Sequence, residues 1–172
     1  MGEGRPFIAS LTLDALDDLE RCLRPLTDED GRLRLNGSNA LAATAAHLAQ
    51  QIDGWVCVGM AGLERNGALP SGSLRQGGDI QEASMTAVWA ALGTTLVRAR
   101  GWLEGATEAE LDMSVPYRGS YSEWQGKRIS NRLRLARIVA HIYYHIGEIN
   151  TIRAALGARV EDFPNELPRL MA

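Results

Sequence analysis

The chain has 172 residues, 45% of them apolar and 23% charged, and its 18 Lys and Arg against 21 Asp and Glu leave a net charge of −3. That composition excludes a disordered or fibrous protein, and the near balance of charge argues against nucleic acid or an anionic membrane as the main partner. Residues 1–172 are long enough to fold as a single domain, burying about 70% of the surface of the unfolded chain without staples.

The opening stretch, MGEGRPFIASLTLDALDD, has no uninterrupted apolar core of signal-peptide length, and no later apolar run approaches a membrane span. A cytoplasmic protein with no membrane partner is therefore expected. A first helix is predicted over residues 12–25, with Leu13, Leu16, Leu19 and Leu23 as its apolar stripe and Asp14, Asp17, Asp18 and Glu20 facing water. The turn-rich TDEDGRLRLNGSN follows, after which Ser38 or Asn39 is a natural cap for a second helix reaching residue 63. Glycines at positions 54, 59 and 62 each disfavour a helix by about 1 kcal/mol against Ala, which points to close packing there.

RNGALPSGSLRQGG reads as a long loop, and Asp79 with Glu82 as a capping pair opening a third helix over residues 80–103. Thr107 and Glu110 repeat that pattern for one short turn. Residues 113–126, with Pro116 and two glycines, read as irregular, and no convincing strand is predicted anywhere. A fourth long helix starts between residues 128 and 131, runs to 156 and stops at Gly157. The tail, with Pro164 and Pro168, is expected to be extended and superficial. The sum is an all-α chain of four long helices with long connectors, an arrangement whose ligand sites usually lie between facing helices.

Cys22 and Cys57 form no CxxC and suggest small core hydrophobes, not a disulfide or thiolate metal site. Histidine is also sparse. Of the chain's three, two stand four apart in HIYYHIGEI, so on a helix their Cβ atoms lie about 5–6 Å apart on one face. The apolar arc of that helix comprises Leu135, Ile138, Val139, Ile142, Ile146, Ile149 and Ile152, with His141 and His145 at its edge. His47 lies beside the core face of the second helix. Three neutral imidazoles make a zinc site that keeps a position open for water or substrate, the arrangement of Lewis-acid catalysis. Half-buried histidines bonded to their surroundings satisfy the same spacing.

Ile142 stands where a zincin of the HExxH type needs its glutamate, which excludes that chemistry. Glu148, three residues after His145, is a candidate to bond an imidazole, to act as a base or to coordinate as a fourth ligand. Arg134 shares the face of His141 and suits a substrate carboxylate, or else points to solvent. Arg118, Lys127, Arg128, Arg132, Arg134 and Arg137 form a basic run that could funnel an anion or simply be solvated. Tyr117, Tyr121, Trp124, Tyr143 and Tyr144 supply aromatic material for a pocket wall, a core or an interface.

AAHLAQQIDGW in the second helix together with VAHIYYHIGEINTIRAALG in the fourth resembles the DinB/YfiT-like superfamily of metalloenzymes over about residues 10–157. The resemblance implies an up-down-down-up four-helix bundle, often homodimeric, with a divalent metal, zinc or nickel, on His47, His141 and His145. It also implies relatives that use low-molecular-weight thiols, among them mycothiol-dependent maleylpyruvate isomerase and bacillithiol transferases. Glu148 departs from the Gln that such proteins carry more often. The function expected is that of a metal-dependent enzyme acting on a small molecule, a thiol-dependent S-transferase or isomerase or a hydrolase using metal-bound water. The alternatives are a non-catalytic metal-binding or stress-response protein, whose ion would tie two helices together, and a metal-free helical interaction module.

Overall fold

The computed structural model describes residues 5–24, 26–72, 83–117, 122–158, 160, 163 and 164. In chain order these form α1 (Phe7–Leu23), α2 (Asp28–Gly31), α3 (Leu41–Ile52), a π-helical segment (Asp53–Val58), α4 (Met85–Gly105), α5 (Glu108–Asp112), β1 (Ser114–Pro116), a 3-10 turn (Ser122–Trp124), β2 (Arg128–Ser130) and α6 (Asn131–Ala155). The mainly helical class read from the sequence holds.

Helix α1 starts at Phe7, earlier than the leucine stripe suggests, because Pro6 sets φ at −57° and its carbonyl accepts from the N–H groups of Ala9 and Ser10. The four leucines are buried as expected, but so are Asp14 and Asp18, at 4% and 3% exposure. The correction has a plain cause: α1 packs against both α4 and α6, so its covered arc is wider than one stripe. Asp18 accepts from Arg21 and from the Tyr143 hydroxyl, while Asp17 and Glu20 pair with Arg100 of α4.

The first connector holds a turn of helix the sequence reading left out, α2, closed by reciprocal bonds between Thr27 and Asp30. A Cβ at Gly31 would stand 3.0 Å from the Met85 Cβ and 3.1 Å from the Ala42 Cβ, so glycine lets α2 lie directly on α3 and α4. Asp28 in turn accepts from the hydroxyls of Ser84 and Thr86 and from the Thr86 N–H, tying α2 to the start of α4.

Helix α3 is preceded by Ala40 with no side-chain cap; Ser38 instead accepts from the Leu35 N–H. Helical structure ends at Val58, not at residue 63, and Gly62 turns the chain away with φ +68°. Helix α4 opens at Met85, where Ser84 accepts from the Ala87 N–H, so it begins later than expected; Asp79 and Glu82 lie outside the described residues. Thr107 and Glu110 close the expected capping box of α5.

The expectation of no strand is overturned by an antiparallel ribbon in which Val115 faces Ile129 across β1 and β2. β-branched residues opposite one another favour such a ladder even at three residues a strand. Asn131 then extends it by donating to the Met113 carbonyl as α6 begins. Helix α6 buries the whole predicted arc and ends before Gly157 at φ +80°. In the tail, Phe163 packs on the core with the Arg21 guanidinium 4.2 Å over its ring, so this part of the tail is docked; Pro168 lies outside the described residues.

Candidate metal centre

The sequence of α3, LAATAAHLAQQI, explains how His47 reaches α6. Ala42, Ala43, Ala45, Ala46 and Ala49 are all buried, and such small side chains let neighbouring helix backbones approach closely. Helix α3 packs on α4 and α6, and His47 projects at its contact with α6.

There it meets the two histidines of α6. Ring centroids stand 4.5 Å apart for His141 and His145, 5.1 Å for His47 and His141 and 5.3 Å for His47 and His145. One nitrogen from each ring lies within 4.8 Å of the others, and among the described residues this is the cluster able to hold a metal ion. Nε2 of His47 and Nε2 of His141 are 2.9 Å apart. Two imidazoles on one zinc at tetrahedral angle place their nitrogens about 3.3–3.4 Å apart, so the donor set fits a divalent ion after a small separation of the rings.

The protonation states fit as well. Burial, followed by the nearness of His141 and His145, pushes His47 from 6.5 down to about 4. His141 is likewise pushed down to about 4 by burial, then by His145 and Arg137. Both are therefore neutral near pH 7, the form that binds a cation. His145 Nδ1 lies 2.7 Å from Glu148 Oε2. A carboxylate there accepts the Nδ1 proton, which leaves the lone pair on Nε2. Glu148 thus sits behind an imidazole, outside the nitrogen cluster.

Arg134 is buried at 7% exposure, which corrects the solvent-facing reading. Its Nη1 donates to the Gly59 carbonyl and to Asn131 Oδ1, and its Nη2 donates to the Trp55 carbonyl, each at 3.0 Å. This clamp needs Gly59, where a Cβ would stand 2.1 Å from Nη2; Gly54 and Gly62 have open space, so close packing applies to one of the three glycines. On the other side of the π-helical segment, buried Asp53 accepts from Arg98 and from the Asn66 N–H. Both anchors fix the wider π turn that carries Trp55, a distortion common at functional sites.

The basic run does not act as one patch. Arg132 pairs with Glu108 and Asp112, Arg128 donates to the Ser114 carbonyl, and Lys127 lies 5.8 Å from the Trp124 ring centre. Arg137 alone of the described set joins the histidine region, 5.4 Å from the Trp55 ring centre; Arg118 and Tyr121 lie outside the described residues. Tyr143 points away from the histidines, donating to Asp18.

Two cavities flank Trp55. One of about 490 Å³ lies between the π-helical segment and the ribbon, walled by Trp55, Gly59, Val115, Tyr117 and Arg134. The other, about 290 Å³, is bounded by Gln51, Trp55, Arg137, Ile138, His141 and Tyr144. Gln51 and Trp55 were missed as site residues, although positions 47, 51 and 55 recur at four, a signal of a shared face.

Neither cysteine reaches this region as a reactive thiol. Both are buried, and burial, reinforced by Asp53, pushes Cys57 up to about 11. Among known proteins, no curated sequence matches the chain. The family described as Mycothiol-S-transferase matches residues 9–158, nearly the whole described structure. The chain belongs to the mycothiol S-transferase family, within the DinB-like superfamily.

Proposed function

We propose that this protein is a metal-dependent S-transferase that joins a low-molecular-weight thiol, mycothiol, to a small electrophile. The observation carrying the reading is the meeting of imidazoles from α3 and α6 within 4.8 Å, set in a chain whose family is that of thiol transferases. His47, His141 and His145 would hold a zinc or nickel ion, which when bound would supply the Lewis acidity that favours a thiolate at neutral pH.

The chain's own residues do the rest. Glu148 holds His145 in the tautomer with a free Nε2, and burial keeps His47 and His141 unprotonated. The nucleophile comes from outside, because Cys57 is buried, donates to the Thr95 carbonyl and is held protonated. The larger cavity beside Trp55 has room for the body of the thiol, its 490 Å³ falling within the range of small-molecule pockets.

An up-down-down-up order of α1, α3, α4 and α6 and a cytoplasmic homodimer complete the proposal. The first is supported by Asp18 beside Tyr143 and Cys22 beside Asn150, which run in the same direction along α1 and α6. The ligands' origin on two separate helices favours a second role for the ion, tying α3 to α6. Protein purified without a polyhistidine tag is expected to carry one divalent ion per chain and to form an S-conjugate from mycothiol and a bimane halide, detected by mass spectrometry. His145→Ala should lose both. Metal retained in that variant would remove the assigned site, and stoichiometric metal without conjugate would leave only the structural role.

A further inference from the structure

Beside His141, the cavity of about 290 Å³ is walled by α3 and α6 and carries the Gln51 side chain in its lining. Given the S-transferase reading on which this step rests, we infer that this cavity is the electrophile subsite and takes an uncharged aryl epoxide, whose oxygen accepts from the Gln51 amide while a thiolate opens the three-membered ring.

The two adjacent glutamines of α3 are used differently. Gln50 donates through Nε2 to the carbonyls of Pro70 and Gly72, holding the loop against the helix. Gln51 is half-buried in the cavity wall and makes no hydrogen bond among the described residues. It stands four residues after His47, so its Cβ lies about 5–6 Å from that of a metal-site imidazole. The other polar groups of the wall are committed. His141 Nε2 faces His47 Nε2 at 2.9 Å, and Arg137 lies against the Trp55 ring and has a further partner of its own. A ligand that fills the cavity strips water from Gln51, and an amide left unsatisfied is costly, so the site selects a ligand that brings an oxygen to it.

Size and walls describe the rest of that ligand. A cavity of about 290 Å³ lies at the low end of ligand pockets, roughly 300–1,000 Å³, and suits a single substituted ring. Trp55, Ile138 and Tyr144 present flat or apolar surface to it. Tyr144 is 69% exposed, with its ring 4.9 Å from that of His145, and forms the outer edge. His141 in the same wall puts the ligand beside the nitrogen cluster, where a thiolate would be delivered.

The position of a neutral donor next to the reacting centre decides the class of electrophile. A molecule attacked by a thiolate must put an electron pair somewhere. In a halide the pair departs with the leaving ion, away from any fixed donor. In an epoxide it stays on an oxygen of the same molecule, one bond from the attacked carbon, and an N–H fixed there acts where negative charge develops. The sulfur forms a bond to one epoxide carbon, the bond from that carbon to oxygen breaks, and the oxygen keeps the pair and takes a proton from solvent. The thiol proton has gone to solvent beforehand, so the product is a hydroxy thioether and nothing else is consumed or released.

The test compares styrene oxide with benzyl chloride, an aryl electrophile that has no oxygen, in zinc-loaded protein with mycothiol. Gln51→Leu is expected to lower kcat for styrene oxide about tenfold or more relative to benzyl chloride, with KM changed less than kcat, because the lost bond is strongest in the transition state. Gln51→Met, unbranched and close in length, should do the same and guards against a helix disturbed by leucine. Both variants should keep their metal content and melting temperature. A second arm needs no turnover: calorimetric binding of acetophenone and its isostere α-methylstyrene, in which a methylene replaces the carbonyl oxygen. Either variant should shift the ratio of affinities toward α-methylstyrene about 2–10-fold, the effect of losing one hydrogen bond. An unshifted ratio, or styrene oxide and benzyl chloride slowed alike, would overturn the assignment. A shifted ratio without conjugate from either electrophile would defeat the transferase reading and keep Gln51 as the donor of this pocket.

Discussion

Removal of the Glu148 carboxylate tests the centre without touching a ligand. Its Oε2 lies 2.7 Å from His145 Nδ1, and the two side chains are 23% and 5% exposed, so the contact is mostly shielded from water. A hydrogen bond to a charged group contributes about 1.5–3 kcal/mol, and at 1.4 kcal/mol per factor of ten this corresponds to about 10–100-fold in an equilibrium constant. Loss of a carboxylate behind a metal-bound imidazole falls in the same range. Glu148→Ala should therefore weaken zinc binding about 10–100-fold. Glu148→Gln should weaken it less, because the amide oxygen still accepts from Nδ1 and keeps Nε2 free. Competition against a chromophoric chelator near neutral pH reads both affinities. Native affinity in the alanine variant, or a glutamine variant weaker than the alanine one, would refute the role assigned to this residue.

Three further outcomes follow from the packing. In metal-free protein, His47 and His141 lie at about 4 against an ordinary 6.5, so the unfolded chain binds more protons between those values. Stability should be fully present above about 6.5, fall through that window and be lost by about 4, a trend that urea titrations at stepped pH will show and that His47→Ala with His141→Ala should flatten. Asp53→Ala strands Arg98, itself 22% exposed, and the Asn66 N–H. The expected cost is at the low end of a broken buried pair, about 3 kcal/mol, or a melting temperature lower by about 6–12 °C, and a change under 1 °C would contradict the network. Gly59→Ala should push the Arg134 fork off the Trp55 carbonyl for about 1.5–3 kcal/mol, whereas Gly54→Ala, with nothing within 4 Å, should be neutral or better; denaturant midpoints that reverse this order would contradict the clamp.

Local signals were legible wherever neighbours in sequence supply the interaction. The buried arc of α6, the Thr107 and Glu110 box and the Gly157 stop all depend on residues within a turn or two, and all appear where periodicity puts them. Signals that depend on distant partners were misread. Asp14 and Asp18 looked like a wet face, yet α4 and α6 cover them, and Asp18 finds Tyr143 some 125 residues away. Arg134 read as a substrate arginine or a solvent-facing one, because spacing reports a face but not what fills it; it is buried on the carbonyls of Trp55 and Gly59.

The amino-acid order by itself determined that two imidazoles share one helical face, since a separation of four leaves a helix no other choice. Only the tertiary structure decided that His47 joins them, that a π turn sets Trp55 between two cavities, and that Arg137 rather than Arg134 lines the one beside His141. Helical periodicity is set within a few residues, whereas convergence depends on how closely an alanine-lined helix approaches its neighbour and on carbonyls freed in another segment, which no local pattern encodes.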